Sequence, residues 1–159
     1  MKSVVFARIA EILSNLDLMI EGANICDEAY AEGVGQPEWH VPFGIDKPET
    51  VAQNVAGIQA VISSIGAIHV MRGFVPGAHS EMTLKILVDI ANSDLSPNER
   101  SIVLRMANCA WGAGQSFRTD KGPLGRLTRM NVFDLLPEEE IEKDMIQVRA
   151  AAKWLLSKM

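Results

Sequence analysis

"VAQNVAGIQAVISSIGAIHVM", residues 51–71, contains no Asp, Glu, Lys or Arg. As a helix it is long enough to cross a bilayer. Yet Gln53, Asn54, Gln59, Ser63, Ser64 and His69 are scattered through it, and each is costly in lipid. The stretch therefore reads as the central helix of a water-soluble protein, about residues 48–72, with no membrane contact. Val51, Val55, Ile58, Ile62, Ile65 and His69 recur at spacings of three and four, which lays them in one seam along a helix. Ala52, Ala56, Ala60 and Ser64 recur every fourth residue, with Gly57 and Gly66 close by. Small side chains let a neighbouring backbone approach, although each glycine costs about 1 kcal/mol relative to alanine in a helix interior. With small or apolar residues on nearly every face, this helix is expected to be surrounded.

The same seam recurs at Val5, Ile9, Ile12, Leu16 and Met19, and again at Ile141, Met145, Val148, Ala152 and Leu155. Nothing alternates with period two over a useful length, so strands have no support. These patterns predict an all-α fold: a helical bundle of about five main helices around the buried central one. A further short helix is expected near residues 24–31, and a long Gly/Pro/aromatic loop at 33–47. Punctuation agrees. Ser96, Pro97 and Glu99 form a capping box, and Asp46 with Glu49 is expected to do the same for the central helix. A helix over residues 80–92 should turn Leu84, Leu87, Val88 and Ala91 inward and leave Glu81, Lys85 and Asp89 on a solvated face. Acids after Pro137 and lysines at 153 and 158 suit the dipole of the last helix.

At 159 residues, 48% hydrophobic and 22% charged, the chain reads as one globular domain, 1–159. Arg8 and Glu11 interrupt the apolar start, so no secretory signal is read there. Cys26 and Cys109 form no CxxC pair, which suits buried thiols in a reducing, cytoplasmic setting, though their spacing alone does not exclude a disulfide.

Three groups of residues invite a functional reading. Residues 112–131, "GAGQSFRTDKGPLGRLTRMN", carry Arg118, Lys121, Arg126 and Arg129 against Asp120 alone, a local charge of +3 in a chain of −5. Glycine-rich backbone and arginine forks suit an anion, and pairing with the acidic helices would give the same composition. No P-loop spacing is present. His40, His69 and His79, with Glu38 or Glu81, are the candidates for a metal site, but they lack HExxH or ExxH spacing. His69 on an apolar seam also reads as a hydrogen-bonded core residue. Trp39 and Phe43, set among Gly35, Pro37, Pro42 and Gly44, either seal the core or anchor a partner, and Trp111 flanks its helical stripe in the same way.

The leading expectation is a non-enzymatic, self-associating interaction protein that needs no cofactor. Trp39, Phe43 and Trp111 would pack the interface. The basic glycine-rich loop would face an acidic protein, a nucleotide or nucleic acid. Two alternatives stand beside it: a small metal-dependent or phosphoryl-handling bundle enzyme working from His40, His69, His79 and Glu81, and a dimeric nucleic-acid-binding protein that pairs two basic loops.

Overall fold

A computed structural model of the chain describes residues 4–75, 79–119 and 138–159; within its helices the side chains at 56, 57, 111–119, 140 and 141 lie outside the description. The described residues are all-α, with six α-helices and no strand. In chain order these are α1 (Val4–Leu13), α2 (Leu16–Gly33), α3 (Pro48–Met71), α4 (Ser80–Ala91), α5 (Pro97–Thr119) and α6 (Glu138–Ser157). A single 3-10 turn, Pro37–Trp39, interrupts the 33–47 connection, which otherwise has no regular structure.

The central helix lies where the apolar pattern put it. α3 packs most extensively along α5 and also touches α2, α4 and α6. Ile58, Val61, Ile65 and Ile68 are fully buried. Two of its polar side chains bond within the helix: the Ser64 hydroxyl donates to the Val61 carbonyl at 2.7 Å, and the Asn54 amide nitrogen donates to the Thr50 carbonyl at 3.0 Å. The first half of the seam stays more open, with Val51 and Val55 half-buried and Ala52 and Gln59 exposed. α6 is the second axis of the core, touching α2, α3, α4 and α5. Of its predicted seam, Met145, Val148, Ala152 and Leu155 are buried, and the Ile141 side chain lies outside the described residues.

The first seam does not form one helix. The Ser14 hydroxyl turns back to the Ala10 carbonyl at 2.7 Å, and the Asn15 side chain accepts the Leu18 amide at 3.1 Å as the N-cap of α2. The chain thus breaks between Leu13 and Leu16, and the helix expected near 24–31 is the later part of α2. At α3 the Asp46 cap is not used, since the N-cap is Lys47 without a side-chain bond and Pro48 starts the helix. The Ser96–Glu99 box is present in both directions, with Ser96 N–H to the Glu99 carboxylate at 3.1 Å and Glu99 N–H to Ser96 Oγ at 3.2 Å.

α4 is rotated from its expected face. Thr83, Ile86, Leu87 and Ile90 are buried, whereas Val88 is exposed. Asp89, expected in solvent, is buried because Arg72 draws it in. The Arg72 guanidinium sits 3.0 Å from Asp89 and makes a two-pronged pair with Glu99 at 2.8 and 3.0 Å. One side chain therefore joins the end of α3 to α4 and to the capping box of α5. A second close fit is at Gly22, where an added Cβ would lie 2.8 Å from the ring of Trp154 and 2.9 Å from Ile58.

Three helices end in the same way. After α2, α3 and α4 the third residue beyond the helix donates to a carbonyl five residues back: Gln36 to Ala31, Phe74 to His69 and Asp94 to Asp89. Each turn needs a left-handed residue, supplied by Gly35 (φ 76°), Gly73 (φ 82°) and Ser93 (φ 58°). No neighbour lies near a Cβ at Gly35 or Gly73, so their cost on substitution is backbone strain alone.

Gly73→Ala should lower unfolding free energy by about 1 kcal/mol, while Ser93→Gly should raise it by about 0.5 kcal/mol, both read from urea midpoints at unchanged slope. Arg72→Met should cost about 3 kcal/mol, because it strands Glu99 and Asp89 together in a poorly hydrated place. The Glu99 carboxyl is held below its usual 4.5 mainly by its hydrogen bond from Arg72, with burial opposing. Its contribution is therefore present above that ordinary value and is lost as pH falls through the lower folded value. Urea titrations should show Glu99→Gln less stable than wild type at neutral pH but losing less between about pH 5 and pH 3.

Candidate functional site

The 33–47 segment is pinned to α2 by the Asn24 carboxamide and by the His40–Asp27 pair. Asn24 accepts the Phe43 amide at 3.0 Å and donates to the Phe43 carbonyl at 2.9 Å, so it reads the backbone as a paired strand would. Phe43 is thereby buried against its own chain, with its ring edge-on to His40 at 6.4 Å between centroids. Of the two fates open to Phe43 in the sequence, it has taken the sealing one. Trp39 has not: it is 64% exposed at the 3-10 turn, because the turn closes by backbone bonds and leaves the indole outside.

Between this turn, α2, α3 and α6 lies a cavity of about 400 Å³ lined by Asp27, Tyr30, Trp39, Gln53, Asn54 and Gln147. His40 backs it, with Nδ1 at 2.8 Å from Asp27 Oδ2. Three carboxamides, one carboxylate and one phenol make a wall rich in both donors and acceptors. Asn54 is 4% exposed, and its Oδ1 has no donor. That is a costly state for a buried carbonyl oxygen, about 1–3 kcal/mol.

A second cavity, about 350 Å³, opens where α1, α2 and α3 meet below the end of the 33–47 segment. Its wall is apolar, including Leu13, Leu16, Met19, Ile45, Val51 and Val55, and none of its lining residues is charged. Leu16 and Ile45 stand largely exposed at its edge.

The three histidines do not meet. His40 pairs with Asp27 on α2, beside the part of α3 that holds Asn54, whereas His69 lies about four turns farther along α3, some 22 Å by helical rise. His69 is fully buried, tilted against Phe6 at 6.0 Å, with Nε2 3.1 Å from Thr83 Oγ1. Thr83 gives its proton to the His79 carbonyl at 2.8 Å, so its oxygen accepts from His69 Nε2–H. Burial lowers the His69 pKa, with His79 and Arg72 adding to the effect, so the ring is held neutral. It is a core residue joining α3 to α4. His79 is exposed and stacks edge-on with Phe74 at 4.8 Å, and Glu81 is exposed on the first turn of α4. Among the described residues no group of three His, Cys, Asp or Glu is arranged to hold a metal ion.

The basic segment begins as helix, not loop. α5 runs on through residues 112–119, so Gly112 and Gly114 lie within it and Arg118 occupies its last turn. A helix started by a strong capping box carries two glycines at about 1 kcal/mol each, and a cation in the last turn suits its exposed carbonyls. Lys121, Arg126 and Arg129 lie outside the described residues, as do the side chains of Arg118 and Trp111. Both thiols are free. Cys26 is buried and its pKa is pushed up to about 12 by that burial, which keeps it protonated and unreactive.

The polar cavity itself escaped the sequence reading. Its residues come from four separate segments, and the Asn24 clamp together with the His40–Asp27 pair holds the 37–39 turn against α2. Asn24→Ala should release the segment: deuterium exchange at the Phe43 amide should accelerate while the α6 core stays protected, at a global cost of about 1–2 kcal/mol. No known protein family, curated protein or solved structure matches this chain.

Proposed function

We propose that this chain is a non-enzymatic interaction protein that self-associates, docking a second copy of itself on the groove formed by α1, α2 and α3. The carrying observation is that this groove combines exposed large apolar side chains, Leu16 at 52% and Ile45 at 69%, with a lining that holds no charge. A contiguous apolar surface of this kind costs hydration free energy until it is covered. The occupant is argued from charge. Two copies, each of net charge −5, repel over most of their surfaces, so they meet most favourably where charge is absent. Within such an assembly the cationic residues of 112–131 form the element best suited to an anionic partner, and a dimer would carry two of them. An enzymatic reading based on His40, His69 and His79 draws no support from their separation.

Sedimentation velocity across about 1–100 µM should show wild-type dimer, and Leu16→Glu/Ile45→Glu should weaken association by at least about tenfold. Both positions are exposed, so the double variant should unfold within about 1 kcal/mol of wild type. A wild-type protein that stays monomeric through that range overturns the proposal.

A further inference from the structure

We infer that the cavity between α2, the 37–39 turn, α3 and α6 binds a neutral ring bearing several hydroxyls, a ligand the size of a monosaccharide. Its volume of about 400 Å³ is within the ordinary range for small-molecule sites. The wall chemistry selects the ligand. No lysine or arginine lines it, so nothing there neutralises a phosphate or carboxylate. Its one carboxylate, Asp27, already has Oδ2 engaged by His40, which leaves Oδ1 as an acceptor and weakens the case for an organic cation.

Beside Ala31 and Trp39, the rest of the wall is Tyr30, Gln53, Asn54 and Gln147. A carboxamide donates on one side and accepts on the other, and a phenol does both from one atom. A sugar hydroxyl is the matching group, because it also donates and accepts at once. Asn54 Oδ1 adds the specific demand, a buried acceptor with no donor on the wall of the cavity.

Trp39 supplies the other half of the match. Its indole lines the cavity while remaining mostly exposed. A pyranose has an apolar face of C–H bonds, and such a face packs on an aromatic ring while the hydroxyl rim points to polar side chains. One aromatic residue and three carboxamides lining the same cavity supply both kinds of contact.

The test is saturation-transfer NMR on the full chain with methyl β-glucopyranoside, methyl β-galactopyranoside, methyl α-mannopyranoside and N-acetylglucosamine, beside adenosine and spermidine. Saturation should reach the ring C–H protons of at least one of the four sugars. Trp39→Ala, at an exposed position, and Tyr30→Phe, which loses only a hydroxyl, should each weaken that binding by about tenfold. Leu16→Glu/Ile45→Glu should leave it unchanged, which separates this site from the self-association groove. No transfer to any sugar, equal transfer in the folded Trp39→Ala protein, or transfer only to adenosine or spermidine overturns the inference.

Discussion

A helix of 24 residues with an uncharged run from Val51 to Met71 sets the terms for everything else in this chain. Such a rod must be covered by apolar surface over most of its length, and each polar group it takes inside must be given a partner. α5, α2, α4 and α6 provide the cover. The Ser64 hydroxyl and the Asn54 amide nitrogen are answered within the helix itself and His69 Nε2 by Thr83 from α4, the exceptions being Asn54 Oδ1 and His69 Nδ1. Where the cover stops, the two cavities begin. The apolar one borders the first half of the valine and isoleucine seam, and the polar one is lined by the buried Gln53 and Asn54 around the other side.

The end of the rod is fixed by charge. Arg72 follows Met71 directly, and its guanidinium gathers Asp89 and Glu99 from two other helices. Glu99 also completes the capping box with Ser96, so the same carboxylate starts α5 and anchors α3. This sharing explains why α4 is rotated relative to its simplest amphipathic reading. Turning Asp89 toward Arg72 moves Val88 out to solvent, and the buried face becomes Thr83, Ile86, Leu87 and Ile90. Asp89 is tolerated inside because its charge is paired, and Ile86 and Ile90 fill the face that Val88 leaves.

The two cavities divide the surface into different chemistries only a few turns apart. The 33–47 segment borders both, carrying Trp39 at the polar one and Ile45 at the apolar one. Its placement depends on Asn24, which holds the Phe43 backbone by two hydrogen bonds. The segment thus behaves as a strap fixed at its middle, with Phe43 as the buried anchor and an exposed apolar residue to either side.

The sequence by itself determined the all-α class, the position of the central rod, the buried seam of the last helix and the Ser96–Glu99 cap. All of these follow from spacing along a single helix, and helical geometry converts spacing into a face without reference to any neighbour. Tertiary structure alone decided the inward turn of Asp89, the fit of Trp154 against Gly22, and the separation of His40 from His69. Only it drew Asp27, Tyr30, Trp39, Gln53, Asn54 and Gln147 to one wall. Each of these is a pairing between residues distant in the chain. Which polar group meets which is fixed by the relative placement of whole helices, and that depends on the sum of their packing and not on any local pattern.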